Sequence, residues 1–304
     1  EISFYHQEYK ERYDTYQKAH QALSKKEVIT LVNMNRDFDF YGKIIKQEHP
    51  NDLNTIVNKY YQLDETYEPS DLVEINTNAG TYGSSYSKHT ARKVVYDDFQ
   101  ALKQTCINKG FELYVTSGYR STVWQKEIYN HMVETYSVER ADETCSRPGH
   151  SEHTTGLGLD IALDQYKYEE VENHPQYSWF LSQLSNYGFI LRYPKDKEEL
   201  TGYSYEAWHI RYVGKDLAQK IEKSGLTFDE YYARNYEKIA KLSSMFPIFS
   251  YRNFRIAFIP RHLMSFKITN DVLIRISNRY KEFSFTCFSI ISFKHFIFTS
   301  TGSL

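Results

Sequence analysis

Arg147-Pro148-Gly149-His150-Ser151-Glu152-His153-Thr154-Thr155-Gly156-Leu157-Gly158-Leu159-Asp160 runs directly into Ile161-Ala162-Leu163. From Leu157 onward the large apolar residues fall at every second position, which is the period of a β-strand. Such a strand turns Leu157, Leu159, Ile161 and Leu163 to one face and Gly158, Asp160 and Ala162 to the other. The first face needs a hydrophobic layer to cover it. On the second, Asp160 stands among the smallest side chains, where an ion or a bulky ligand could approach. His153 lies seven residues earlier, before the turn at Gly156. An imidazole nitrogen and a carboxylate oxygen offered together suit zinc. A lone His and Asp beside a turn are more commonly caps or solvated polar groups, so the assignment depends on what else converges there.

Upstream, Val94, Val95, Phe99, Leu102 and Cys106 recur at helical spacing, predicting a helix over 91–109 that ends at Gly110. Phe111, Leu113 and Val115 then alternate as a strand leading into Ser117-Gly118-Tyr119-Arg120-Ser121. Arg120, just past a strand end and beside a Gly, is set either to reach into a cleft or to pair at the surface. A helix over 123–133 follows, with Trp124, Ile128 and Met132 on one face. Downstream, Trp179, Phe180 and Leu184 open another helix, and a turn and short strand occupy 187–194. Lys195 to Leu200 is a charged, solvated segment. In Tyr205-Glu206-Ala207-Trp208-His209-Ile210-Arg211-Tyr212-Val213 the alternation is again strand-like. Glu206 belongs to the turn before that strand, because residues three apart on one strand point to opposite faces. Helices are expected from Leu217 to Leu242.

Residues 1 to about 45 read as polar helices, with Ser24-Lys25-Lys26-Glu27 at capping-box spacing. An apolar pattern resumes over 53–63. We expect residues 1–69 to be a helical N-terminal spacer, 70–245 the functional domain and 246–304 an atypical tail. The tail holds 11 of the 19 Phe but two of the 28 Tyr, and eight Lys or Arg against two acids. It therefore carries about +6 and the remainder about −8. No period persists in it, which predicts a poorly ordered extension; a basic, wall- or membrane-adhering one is the alternative.

The whole chain has 304 residues and a net charge of −2, so no nucleic-acid partner is expected. No apolar run reaches the length of a spanning helix. Three Cys exclude a disulfide framework, and a Cys106–Cys145 bridge is conceivable from the count alone. The chain begins at Glu1 without a Met, so a preceding signal or anchor is expected.

His153, Asp160 and His209 together make two imidazoles and a carboxylate. Three protein ligands with an open fourth position are a catalytic zinc arrangement, whereas structural sites usually close with four. Glu206, three residues before His209, is placed to take a proton from water and pass it to a leaving amine. Arg120 can neutralise a carbonyl oxygen becoming an oxyanion. These parts suffice to hydrolyse an amide, without the HExxH motif. His150 is expected to be structural or at the cleft rim, and Tyr119 and Tyr193 to pack.

Four blocks carry a resemblance. Ser-Gly-Tyr-Arg-Ser at 117–121 with Gln125 downstream, the 147–160 stretch, Tyr-Gly-Phe-Ile-Leu-Arg-Tyr-Pro at 187–194 and Tyr-Glu-Ala-Trp-His-Ile-Arg-Tyr-Val-Gly at 205–214 resemble the VanY-type D-alanyl-D-alanine carboxypeptidases. With them go the VanX dipeptidases and LdcB-type L,D-carboxypeptidases. The resemblance covers about residues 70–220. It implies an α+β fold, a compact zinc peptidase domain with a small antiparallel sheet flanked by helices, here preceded by the helical N-terminal segment. It implies Zn2+ on His153, Asp160 and His209, a catalytic Glu206, a carbonyl-polarising Arg120, and substrate contacts from Ser151, Gln125 and Trp208. The expected partner is a peptidoglycan stem peptide, and the expected reaction is removal of its C-terminal D-Ala by a monomer. The expected location is extracytoplasmic, in the cell wall or on a membrane anchor preceding Glu1. An L,D-carboxypeptidase acting on tetrapeptide stems, a non-catalytic wall-binding module and an endopeptidase are the alternatives. Ala207 departs from the Pro that the family commonly places before the Trp-His pair, which removes a fixed φ but no reacting group.

Overall fold

The computed structural model describes residues 2–75 and 89–236. The tail from 246 and the end of the expected 217–242 helical run lie outside them.

Two helices, α1 (Lys10–Ala19) and α2 (Lys25–Asn33), open the chain. The Ser24 hydroxyl accepts from the Glu27 N–H, and Glu27 accepts from the Ser24 N–H, completing the capping box read from the sequence. Phe4, Tyr13, Val28, Ile29 and Val32 bury a small core between them. Asn33 donates to the carbonyls of Phe4 and Ala233, at 2.9 and 3.4 Å. The 53–63 stretch forms no helix. It wraps the domain with Ile56, Val57, Tyr60 and Leu63 buried, and its short strand β2 (Tyr61–Gln62) pairs in parallel with β1 (Ile45–Lys46).

A hairpin-like pair, β3 (Leu72–Ile75) with β4 (His89–Arg92), leads into α3 (Lys93–Lys109). Val95, Phe99, Leu102 and Cys106 face the core as the spacing required, but Val94 is exposed on the opposite side. Then follow β5 (Leu113–Ser117), α4 (Thr122–Thr135), α5 (Val138–Thr144), β6 (Gly158–Leu163), β7 (Tyr166–Lys167), α6 (Tyr177–Gln183), β8 (Phe189–Leu191), α7 (Glu198–Thr201), β9 (His209–Tyr212), α8 (Lys215–Ser224) and α9 (Phe228–Asn235).

The main sheet is antiparallel, with order β5-β6-β9-β8 and β7 on the edge of β6. The architecture is thus the expected α+β, a small sheet flanked by helices. Leu157, Leu159, Ile161 and Leu163 are all fully buried against Val95, Phe99, Leu102, Phe180 and Phe189. Each such side chain contributes roughly 1.5–3 kcal/mol relative to exposure, so the alternation fixes which face of β6 is core. The other face is buried as well, and the functional groups lie there. Cys106 and Cys145 are both free thiols, so the conceivable bridge between them does not form.

Candidate active site

Sheet register brings the ligand-type residues together. Asp160 on β6 lies directly opposite His209 on β9, and Gly158 opposite Arg211. A single helical turn at 152–155 delivers His153 from the other side. The β5–β6 ladder is bulged between Val115 and Ser117, which re-aims the end of β5. The Gly118 carbonyl there faces His153 Nδ1 at 2.8 Å. Residue 118 must lack a side chain, because a Cβ would stand 2.3 Å from the Thr90 carbonyl oxygen.

His153 Nε2 lies 3.3 Å from Asp160 Oδ2, and His209 Nδ1 lies 2.9 Å from Asp160 Oδ1. The two rings meet edge to face, with centroids 4.9 Å apart. One ligand atom from each of the three residues falls within 4.8 Å of the others. Ligands about 2.0–2.1 Å from a tetrahedral zinc stand about 3.3 Å from each other. The spacing and the two-nitrogen, one-oxygen donor set therefore fit a zinc ion. His153 would offer Nε2 and His209 would offer Nδ1.

The electrostatics follow from burial and mutual contact. Burial alone would raise the Asp160 carboxyl, but the two imidazoles hold it well below the usual range. Burial and the charge of Arg120 push His153 down to about 4. Burial also works against a charged His209, yet its bond to Asp160 and the nearness of Glu152 raise it to about 9. Zinc binding at pH 7 should therefore expel a proton from His209 Nδ1. Calorimetric zinc titrations in buffers of different ionisation enthalpy should show at least about one proton released per zinc, from His209 and in part from Glu206; no release would mean that His209 is already neutral before the metal arrives.

Glu206 sits in the turn before β9, with Oε2 3.7 Å from His209 Nδ1. Burial raises its carboxyl to about 7, against the opposing pull of His209 and Arg120. The turn is held by a bond from Glu206 N–H to the Tyr193 carbonyl at 3.1 Å. The Tyr177 hydroxyl also donates to the Ala207 carbonyl at 2.9 Å. These two bonds fix the turn that carries Glu206, with Ala207 buried in it. Arg120 follows β5, its N–H bonded to the His153 carbonyl at 3.3 Å, and its Nε is buried without a hydrogen-bond partner.

All of these groups line one cleft of about 460 Å³. Ser151, Gln125 and Trp208 line it too. Gln125 Nε2 donates to the Ser146 carbonyl at 2.8 Å, while its Oε1 is buried and unpartnered. His150 is buried outside the cleft, with Nδ1 2.7 Å from the Asn58 carbonyl. Tyr193 packs, as expected, but it packs on the His209 ring at 5.1 Å and walls the cleft.

Sequence reading passed over Glu152. Its side chain is fully buried, with Oε1 2.7 Å from Arg192 Nε and 2.9 Å from Arg211 Nη1, and Oε2 3.6 Å from His209 Nε2. One signal was present: Arg192 directly follows the apolar run Phe189–Leu191 and Arg211 sits between Ile210 and Tyr212 in β9, and a buried guanidinium demands a carboxylate.

The family model described as VanY, D-alanyl-D-alanine carboxypeptidase, matches residues 88–215. YodJ of Bacillus subtilis (strain 168) is 38% identical over 198 residues, covering 64% of this chain and 71% of its own. VanXYC of Enterococcus gallinarum, named a bifunctional D-Ala-D-Ala dipeptidase and carboxypeptidase, is 30% identical over 59% of this chain and 94% of its own. The solved structure of the LdcB LD-carboxypeptidase superposes with a TM-score of 0.58 at 35% identity, covering 63% of this chain and 90% of that one. Sequence match, fold and the grouping of His153, Asp160 and His209 thus agree, and the chain belongs to the VanY-type D-alanyl-D-alanine carboxypeptidase family.

Proposed function

We propose that this protein is a zinc-dependent D,D-carboxypeptidase that removes the C-terminal D-Ala from peptidoglycan stem peptides. The observation that carries the proposal is the convergence of His153, Asp160 and His209 with Glu206 and Arg120 on one cleft. When bound, zinc supplies a Lewis acid and a water acidic enough to ionise near neutral pH. Glu206 accepts the proton of the attacking water and delivers it to the amine of the departing D-Ala as the amide C–N bond breaks. A carboxyl raised to about 7 suits both directions of that transfer. Arg120 stabilises the charge that develops on the carbonyl oxygen. Gln125, Ser151 and Trp208 form walls against which the peptide is held. One chain supplies every group, so a monomer suffices. The substrate places the enzyme outside the cytoplasm, and among the described residues no helix is long and apolar enough to cross a membrane.

An L,D-carboxypeptidase is the second reading, favoured by the superposition on LdcB, whose structure is described as explaining peptidoglycan recognition. Mass spectrometry of pentapeptide and tetrapeptide stems after incubation separates the two. Loss of one Ala from the pentapeptide alone supports the proposal. Loss from the tetrapeptide replaces it with the L,D reading, and no loss from either leaves a wall-binding module or an endopeptidase.

Arg120→Ala should lower kcat about 10²–10³-fold with little change in KM or zinc affinity. A KM effect alone, at unchanged kcat, would assign Arg120 to ground-state binding instead.

A further inference from the structure

We infer that Glu152 is a positioning residue for His209. Its carboxylate accepts the Nε2–H of that ring, so that Nδ1 is the nitrogen left for a metal. The inference rests on the zinc reading above and adds to it the group that orients one ligand.

The geometry is specific. Glu152 Oε2 and His209 Nε2 are both buried, face each other at 3.6 Å, just beyond hydrogen-bond distance, and neither has a hydrogen-bond partner, so a small rotation of the ring satisfies both. The opposite ring nitrogen, Nδ1, is the one turned to Asp160. Gly158 packs closely against this contact: a Cβ there would lie 3.2 Å from His209 Nε2 and 3.3 Å from the Glu152 Cβ, close enough to press on both. His153 is oriented the other way round, with Nδ1 on the Gly118 carbonyl and Nε2 toward Asp160.

Glu152 is itself held from behind. Arg192 bonds Glu152 through Nε at 2.7 Å, and reaches Asp229 at the start of α9 through Nη1 at 2.6 Å. Asn58 donates to the same Asp229 at 2.7 Å. Arg211 adds a second cation on Glu152 and bonds the carbonyls of Leu53 and Thr55. Both arginines are fully buried. Segments around residues 55, 152, 192 and 229 therefore act on His209 through one carboxylate. The 1–69 region takes part in this support, because Asn58 and the 53–55 carbonyls belong to it.

A carboxylate has oxygens enough to accept from His209 and both arginines at once. An amide has one acceptor oxygen and can serve one side only. Loss of a group that orients a metal-binding histidine typically weakens metal affinity 10–100-fold.

The test combines chelator-competition zinc affinities with ring ¹⁵N NMR of the zinc-loaded wild type. Glu152→Gln should bind zinc 10–100-fold more weakly than wild type. Glu152→Asp keeps the charge between the arginines but withdraws the contact with His209, and should also bind more weakly. In the wild type, His209 should be metallated at Nδ1 with a slowly exchanging Nε2–H, and His153 at Nε2. Unchanged affinity in a folded variant, or His209 metallated through Nε2, overturns the role of Glu152. If neither variant folds by circular dichroism, the wild-type spectrum still decides. A wild type that binds no zinc would instead overturn the metal reading itself.

Discussion

Glu206→Ala is expected to lower kcat/KM on a stem pentapeptide by about 10²–10⁴-fold while zinc affinity stays close to wild type. The side chain is buried beside His209 but is not one of the three grouped ligand atoms. Its removal should therefore spare the metal and delete proton transfer. The pH profile gives a second check. A base must be deprotonated to act, so activity should rise with pH through the pKa of Glu206. Burial puts that value at about 7 in the metal-free protein, and a nearby dication lowers it, so the acidic limb should fall at or below neutrality. The limb should vanish in the variant. Turnover within tenfold of wild type would remove Glu206 as the base.

Asp160→Ala should have the largest effect on metal content, leaving zinc near background after gel filtration and no measurable hydrolysis. Asp160 is the only carboxylate of the three-residue group and contacts both imidazoles, at 3.3 and 2.9 Å. Without it, two neutral nitrogens remain, and an open site of two His holds zinc poorly. The fold should suffer less than the site. The core face of β6 is carried by Leu157, Leu159, Ile161 and Leu163, and Asp160 is on the other face. Elemental analysis beside a circular dichroism spectrum checks both halves. A folded variant with one tightly held zinc would contradict the ligand assignment.

The parts of the site that were legible in the sequence are those set by local spacing. A period of two placed Leu157 to Leu163 in a buried strand. The same rule put Glu206 in the turn before His209 rather than in the strand. Cross-strand register was not legible: Asp160 meets His209 because β6 and β9 pair, 49 positions apart. The support behind His209 was hidden for the same reason. Glu152 meets Arg192 across 40 positions, and Asn58 meets Asp229 across 171. No periodicity announces such contacts. The apolar pattern over 53–63 marked burial without marking an element: Ile56, Val57, Tyr60 and Leu63 are buried from a stretch that is mostly loop. Val94 misled, since helical spacing from Val95 already accounts for the buried face of α3.

Release of D-Ala from a stem pentapeptide, followed while zinc is titrated into chelator-stripped protein, tests the central claim most directly. Activity should be absent at the start, rise linearly, and reach a plateau at about one zinc per chain, as a site of three protein ligands requires. Full release of D-Ala by the stripped protein, or no release at any zinc concentration, would contradict it.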